Sequence, residues 1–99
     1  MVGTSFKLYA RISSDSPLAI RPVLERIIGN KGIIKLTSEG FEVSAELDGE
    51  SARNLNRMLL SEMRKVEKKT RLRAEWTQGN IIEKFFDYVP KGTQKVLQS

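Results

Sequence analysis

The residues of this chain best suited to chemistry are the basic side chains between positions 51 and 77. Read as a helix at about 100° per residue, the stretch 51–69 carries two stripes on nearly opposite faces. The apolar stripe predicts a buried face and consists of Ala52, Leu55, Leu59, Met63 and Val66. The basic stripe, together with two arginines of the strand that follows, is a candidate phosphate-binding set, since phosphate contact needs only charge. Its members are Arg53, Arg57, Arg64, Lys68, Arg71 and Arg73. A solvated helix face that keeps the protein soluble is an equally good interpretation of the stripe.

The net charge of +5 is concentrated in the second half of the chain. Residues 1–50 carry six Lys or Arg against seven Asp or Glu, whereas residues 51–99 carry eleven against five. Such asymmetry indicates an anionic partner. The chain has no Cys and no His, which excludes disulfides, Cys or His zinc sites and a histidine general base. No nucleophile with an activating base and no tight carboxylate group is evident, so we expect no catalysis, cofactor, metal or small-molecule substrate.

A length of 99 residues with 39% apolar and 29% charged residues predicts one soluble domain. No apolar run reaches the ~18 residues that span a bilayer, and the N-terminus lacks a signal-peptide pattern. We therefore expect a cytoplasmic protein without membrane contact.

The hydrophobic pattern predicts four strands and two helices. Alternation predicts strands at 6–12, 33–37, 41–47 and 70–77. Helical spacing after Ser16-Pro17 predicts a helix that either kinks at Pro22 or becomes regular there. Asp48 or Ser51 is expected to cap the second helix. The order β-α-β-β-α-β predicts an α+β fold, a ferredoxin-like split βαβ with sheet order 4-1-3-2 and both helices on one face.

Alternation also assigns the two faces of this sheet. The expected core positions are Phe6, Leu8, Ala10, Ile12, Phe41, Val43, Ala45, Leu47, Leu72, Ala74 and Trp76. The opposite, open face carries Lys7, Tyr9, Arg11, Lys35, Glu42, Ser44, Glu46, Arg71, Arg73 and Glu75. Base stacking of the RRM type needs aromatic side chains on the central strands. Only Tyr9 qualifies among the predicted strands, so such stacking is not expected.

The segment 80–89 is predicted to form a C-terminal helical extension. Its apolar residues have helical spacing, and Asn80 with Glu83 resembles a capping box; its β-branched and aromatic content leaves a strand open as the alternative. Residues 1–90 then form a single domain and 91–99 a flexible tail. The apolar side chains of this segment must be covered either by their own domain or by a second chain. The second choice, a symmetric dimer, predicts a protein interface of Ile81, Ile82, Phe85, Phe86 and Tyr88.

Residues 6–66 resemble the small dimerising subunit of the KEOPS complex, which takes part in making threonylcarbamoyladenosine on tRNA. The matching positions are the Ser16-Pro17 helix start, the Glu39-Gly40 hairpin, Asp48, Arg53 and the apolar residues Leu55, Leu59 and Leu60. The family usually has Asn where this chain has Arg57, and it tends to end with the long helix. The resemblance implies a non-catalytic dimer that contacts the catalytic subunit, with tRNA nearby.

These observations favour an interaction subunit of an RNA-processing or tRNA-modifying assembly, with a protein partner or a second copy. The alternative is a small nucleic-acid-binding protein that contacts phosphates through the second helix and the last strand. A small-ligand regulatory domain is a third class that this fold often serves, without a specific feature of the sequence to favour it.

Overall fold

A computed structural model describes residues 4–87 and 89–95 of the chain. Within these residues, two α-helices and a short 3₁₀ turn (Gly29–Lys31) accompany one antiparallel sheet. The elements in chain order are β1 (Thr4–Ser13), α1 (Pro17–Ile28), β2 (Gly32–Leu36), β3 (Gly40–Gly49), α2 (Ala52–Arg64), β4 (Arg71–Gln78), β5 (Ile81–Phe86) and β6 (Val89–Lys95).

The strands lie in the order β2-β3-β1-β4-β5-β6, and every neighbouring pair is antiparallel. The α+β class is therefore confirmed. The expected pairings of β1 with β3 and β4, and of β2 with β3, are all present. The complete order differs from the four-strand ferredoxin-like arrangement because β5 and β6 extend the sheet beyond β4.

The core lies between the two helices and one face of the sheet. α1 contacts β2 and β3, and α2 contacts β3 and β4. Along β1 the side chains of Phe6, Leu8, Ala10 and Ile12 are buried and those between them are exposed, as alternation requires. All eleven expected core positions are buried except Ala45, which is partly buried against the same cluster. The side chains expected on the opposite face are exposed, except Glu42, which is partly buried; over the described residues this face is open, as the pattern predicts.

The structure gives the start of α1 and both ends of α2. α1 runs without interruption through Pro22 from its start at Pro17. Ser51 caps α2, with its Oγ accepting a hydrogen bond from the Asn54 N–H at 3.1 Å. The second helix ends at Arg64, so Val66 lies outside the apolar stripe and is half exposed. The Arg64 Nε donates to the Thr70 carbonyl at 2.9 Å, which fastens the turn that leads into β4.

The prediction of a C-terminal helix is wrong, because residues 81–86 and 89–95 form the strands β5 and β6. Gln78 and Ile81 pair across a two-residue loop that begins with Gly79 at φ 59°. Glycine at that position is typical of a type II′ hairpin turn. The β-branched and aromatic side chains then fit a strand beside β4. Residues 91–95 belong to β6 and not to a tail, and the remainder of the predicted tail lies outside the described residues.

Glu62 links the two helices and gives a prediction about pH. Its carboxylate accepts from Lys65 Nζ at 2.8 Å and from Arg26 Nη2 of α1 at 3.1 Å. The hydrogen bond from Lys65 has the larger effect and that from Arg26 the next, and both lower the pKa of Glu62. The folded pKa is below the unfolded one, so this stabilisation is present above the unfolded pKa and is lost as pH falls through the folded pKa. We expect Glu62→Gln to lose less stability than the wild type on acidification.

Urea unfolding at a series of acidic pH values measures this difference. Parallel loss of stability in the wild type and the Glu62→Gln variant would contradict the role assigned to Glu62.

Candidate nucleic-acid interface

A small polar network fixes the β5–β6 hairpin to the rest of the fold. Asn56 of α2 is buried; its Nδ2 donates to the Asp87 carbonyl, and its Oδ1 accepts from Trp76 Nε1 at 3.2 Å. The Asp87 Oδ1 accepts from the Leu72 N–H at 2.8 Å. Asp87 has φ 62°, a left-handed conformation that Asp adopts more readily than most residues. The position of β5 beside β4 is therefore specified by several side chains at once.

The strand register places arginine and aromatic side chains together on the open face. Arg11 of β1 is opposite Arg73 of β4, and Arg73 is opposite Phe86 of β5. Tyr9 lies one row away, opposite Glu75. Tyr9 is 43% exposed and Phe86 40% exposed. We refer to Tyr9, Arg11, Arg73 and Phe86 as the arginine–aromatic surface.

The charges of this surface are only partly neutralised within the protein. The Arg73 guanidinium lies 4.8 Å from the centroid of the Phe86 ring, a cation–π distance. Arg11 Nη2 lies 3.5 Å from a Glu42 carboxylate oxygen. The Tyr9 hydroxyl, and less strongly Glu42, raise the pKa of Arg11, which keeps its charge. Among the described residues Arg73 forms no ion pair, so its charge is directed at solvent and at the Phe86 ring.

Two concave regions meet on the arginine–aromatic surface. One, of about 350 Å³, is lined by Tyr9, Arg11, Arg73, Lys84 and Phe86, among others. The other, of about 570 Å³, continues from Arg11 and Arg73 to Arg71 and the loop before β3. Hydroxyls from that loop and Ser13 line this second region, and the carboxylates of Glu39 and Glu42 lie on its β3 side. The arginine-rich side of the two regions thus lies along β4.

The six predicted phosphate-binding residues are divided between two sides of the molecule. Arg71 and Arg73 lie on the open face, beside Ser13 and Arg11. Arg53 and Arg57 are exposed on α2, which covers the other face of the sheet, and Lys68 is exposed in the loop after it. Arg64 lies 3.5 Å from the Asp87 carboxylate and its Nε donates to the Thr70 carbonyl, so this side chain holds the turn that leads into β4. The six predicted residues therefore lie on two sides of the molecule, and binding by Arg53, Arg57 and Lys68 stays a prediction.

The predicted protein interface is also divided. Phe85 is opposite Ala74 and 1% exposed, so its assignment to an interface is wrong: it belongs to the protein's own core. Phe86 and Ile82 lie on the open face, and Ile81 is at the far end of β5 on the helix-covered side. Tyr88 lies outside the described residues. A strand directs adjacent side chains to opposite faces, whereas the predicted helix would have placed these aromatic residues together.

Comparison of the chain with protein-family models, with curated proteins and with solved structures returned no match. Neither α1 nor α2, the helices of the described residues, has the length and apolar character needed to cross a membrane. The described residues also contain no group of three His, Cys, Asp or Glu side chains that could hold a metal ion.

Proposed function

We propose that this protein binds single-stranded nucleic acid on its open sheet face, without catalysing a reaction. The observation that carries the proposal is the row Arg11–Arg73–Phe86 across three neighbouring strands, with Tyr9 beside it. Exposed aromatic rings on a sheet stack with unpaired bases, and nearby arginines contact the phosphates between them.

The proposed contacts follow from the chemistry of each side chain. Tyr9 and Phe86 offer rings to bases, and Arg73 stiffens the Phe86 ring by the cation–π contact. The phosphate backbone follows β4, where Arg71 and Arg73 lie. Glu42 and Glu46 of β3 lie on the same open face, on the side of β1 away from β4. Their carboxylates repel phosphates, so the bound strand is expected to lie over β4 and not over β3. A duplex keeps its bases stacked internally, so it is expected to bind more weakly than a single strand.

A second candidate function is that of a non-catalytic subunit in a tRNA-modifying assembly of the KEOPS type. It rests on the resemblance over residues 6–66 and on two exposed apolar side chains of β2, Ile33 and Leu36. In this proposal β1 to β4 and the two helices are a ferredoxin-like unit, extended by the β5–β6 hairpin. Both candidates are compatible with an RNA partner, and they differ in whether this chain contacts the nucleic acid alone.

Fluorescence anisotropy with a labelled oligouridine and the matching oligothymidine tests the first candidate. Base stacking on one aromatic ring is worth about 1–3 kcal/mol, so we expect Phe86→Ala to raise Kd about tenfold. Arg73→Ala is expected to have a similar effect, since it removes both a phosphate contact and the partner of the ring. Three phosphate contacts, by Arg11, Arg71 and Arg73, predict a slope of about −2 for log K against log salt.

Arg53→Ala and Arg57→Ala are the matched controls, because they remove the same charge from the opposite side of the molecule. We expect them to leave Kd within about twofold, as distant surface charges are screened at physiological salt. Weaker binding in these variants, with unchanged binding in Arg73→Ala and Phe86→Ala, would assign the nucleic acid to α2 and overturn the proposal.

A further inference from the structure

The edge strand β2 exposes two apolar side chains. It lies at one end of the sheet and pairs with β3 alone among the described strands. Ile33 is 64% and Leu36 63% exposed. An edge strand with exposed apolar side chains readily pairs with another strand, and natural proteins usually protect such edges. The strand itself is largely apolar, with Lys35 as its one charged residue.

We propose that β2 pairs in antiparallel orientation with β2 of a second copy, about a two-fold axis at Ile34. Closed two-fold dimers are the commonest protein assemblies, and strand addition at a sheet edge is an established mode of recognition. This inference goes beyond the proposed binding of nucleic acid and does not depend on it; the second candidate function uses the same exposed side chains of β2. It also differs from the dimer expected from the sequence, which used the segment 81–88.

The registers available to two copies of β2 are few, because symmetry and side-chain direction restrict them. An axis perpendicular to the sheet pairs residues that lie on the same face, so it passes through a residue. The axes that pair three or more residues of β2 with β2 of the second copy pass through Ile33, Ile34 or Lys35. An axis at Lys35 places the two Lys35 side chains opposite each other. An axis at Ile33 places Lys35 opposite Lys31 of the partner copy. Like charges directly opposite one another are destabilising.

The axis at Ile34 is the register that avoids both lysine contacts. It places Ile33 opposite Lys35 of the second copy, where the aliphatic part of the lysine covers the isoleucine. It places Leu36 opposite Gly32, whose lack of a side chain leaves room for the leucine. The two exposed apolar residues of the strand are therefore both accommodated in the interface, and each Lys35 remains next to Glu42 of its own chain.

The arrangement has a consequence for the open face. A two-fold axis perpendicular to the sheet keeps the helices of both copies on one side and both open faces on the other. Strands are ~4.8 Å apart, so the two β1 strands are about 24 Å apart across five spacings. One dimer would then present two arginine–aromatic surfaces in the same direction.

Two substitutions at the exposed Ile33 test the register directly. Ile33→Lys places a lysine opposite Lys35 twice per dimer, whereas Ile33→Glu places a carboxylate there. Light scattering after gel filtration, on nuclease-treated protein at several concentrations, gives the mass. We expect twice the chain mass of 11.2 kDa for the wild type and Ile33→Glu. We expect a shift to the single-chain mass for Ile33→Lys, with the dimer Kd raised at least tenfold, or about 1.4 kcal/mol.

Cysteine cross-linking gives a second measurement, because the chain has no cysteine of its own. Residues opposite each other at the axis have Cα atoms about 4.5–5.5 Å apart, within the ~4.4–6.8 Å range of disulfides. Ile34→Cys should therefore cross-link on mild oxidation, whereas Leu36→Cys should not, since its two copies are roughly 13 Å apart along the strands. A wild-type monomer, equal masses for the Ile33→Lys and Ile33→Glu variants, or cross-linking at 36 but not at 34 would each overturn the proposal.

Discussion

Replacement of Phe85 by alanine is expected to lower the free energy of unfolding by about 3–5 kcal/mol. The ring is 1% exposed, on the helix-covered side of β5 opposite Ala74. Its removal deletes a large apolar group from the core and leaves a cavity, because the small Ala74 beside it cannot fill the space. A domain of this size has a total stability of about 5–15 kcal/mol, so the variant is expected to lie close to its unfolding threshold. Urea unfolding followed by the fluorescence of Trp76, the single tryptophan, measures the loss.

Phe86→Ala is the matched control for this experiment, since it makes the same change at the next residue of the same strand. Phe86 is 40% exposed on the open face, and we expect its removal to cost less than about 1.5 kcal/mol. The two variants should therefore separate stability from binding: the first loses stability, and the second loses affinity for single-stranded nucleic acid. A greater loss of stability for Phe86→Ala would mean that β5 has the opposite face toward the core, as a one-residue register slip produces.

Most of the four-strand framework is predictable from the sequence, and the reason is local. β1 alternates so regularly from Phe6 to Ile12 that the pattern fixes both its conformation and its buried face. The same argument holds for β3 and β4. The short polar connections then restrict how these strands are joined. Where the pattern has a single solution, as it does here, little tertiary information is needed.

The β5–β6 hairpin could not be predicted in this way. Periodicity alone does not decide between a helix and a strand here. A helical spacing and the two faces of a strand both fit Ile81, Ile82, Phe85 and Phe86. The Gly79-Asn80 loop and the β-branched pair after it favour the strand, whereas the apparent capping box at Asn80 and Glu83 favours the helix. The strand is held by a hydrogen bond from Asn56 of α2 to the Asp87 carbonyl. These two residues are 31 positions apart in the chain, so a local pattern does not reveal the contact.

The candidate site was partly predictable for the same reason. Alternation alone predicts that Tyr9, Arg11 and Arg73 lie on the open face. Phe86 could be placed beside Arg73 only once the register of β5 was known. The surroundings of the basic stripe on α2 are not predictable from helical spacing, which does not show that the helix ends at Arg64 or that this arginine contacts Thr70 and Asp87.

Replacement of Asn56 by alanine is expected to lower the free energy of unfolding by about 2–4 kcal/mol, because it leaves two polar groups without partners. These are the Trp76 Nε1–H, inside the core, and the partly buried Asp87 carbonyl. Each buried group that loses its hydrogen bond costs about 1–3 kcal/mol. The substitution also releases the hairpin that presents Phe86, so we expect affinity for single-stranded nucleic acid to fall with stability. Urea unfolding and the anisotropy titration measure the two effects.

Asn54→Ala is the control, since it also replaces an asparagine of α2 by alanine, but on the exposed side of the helix. Its side chain hydrogen-bonds only exposed groups, Glu50 and Arg57, and such surface substitutions usually change stability by about 0.5 kcal/mol or less. The cap of α2 is unaffected, because Ser51 binds the backbone N–H of residue 54 and not its side chain. Equal losses in the two variants would show that the buried network does not hold the hairpin. A large loss of affinity in Asn56→Ala alone would show that the binding surface depends on a hairpin fixed from the opposite side of the sheet.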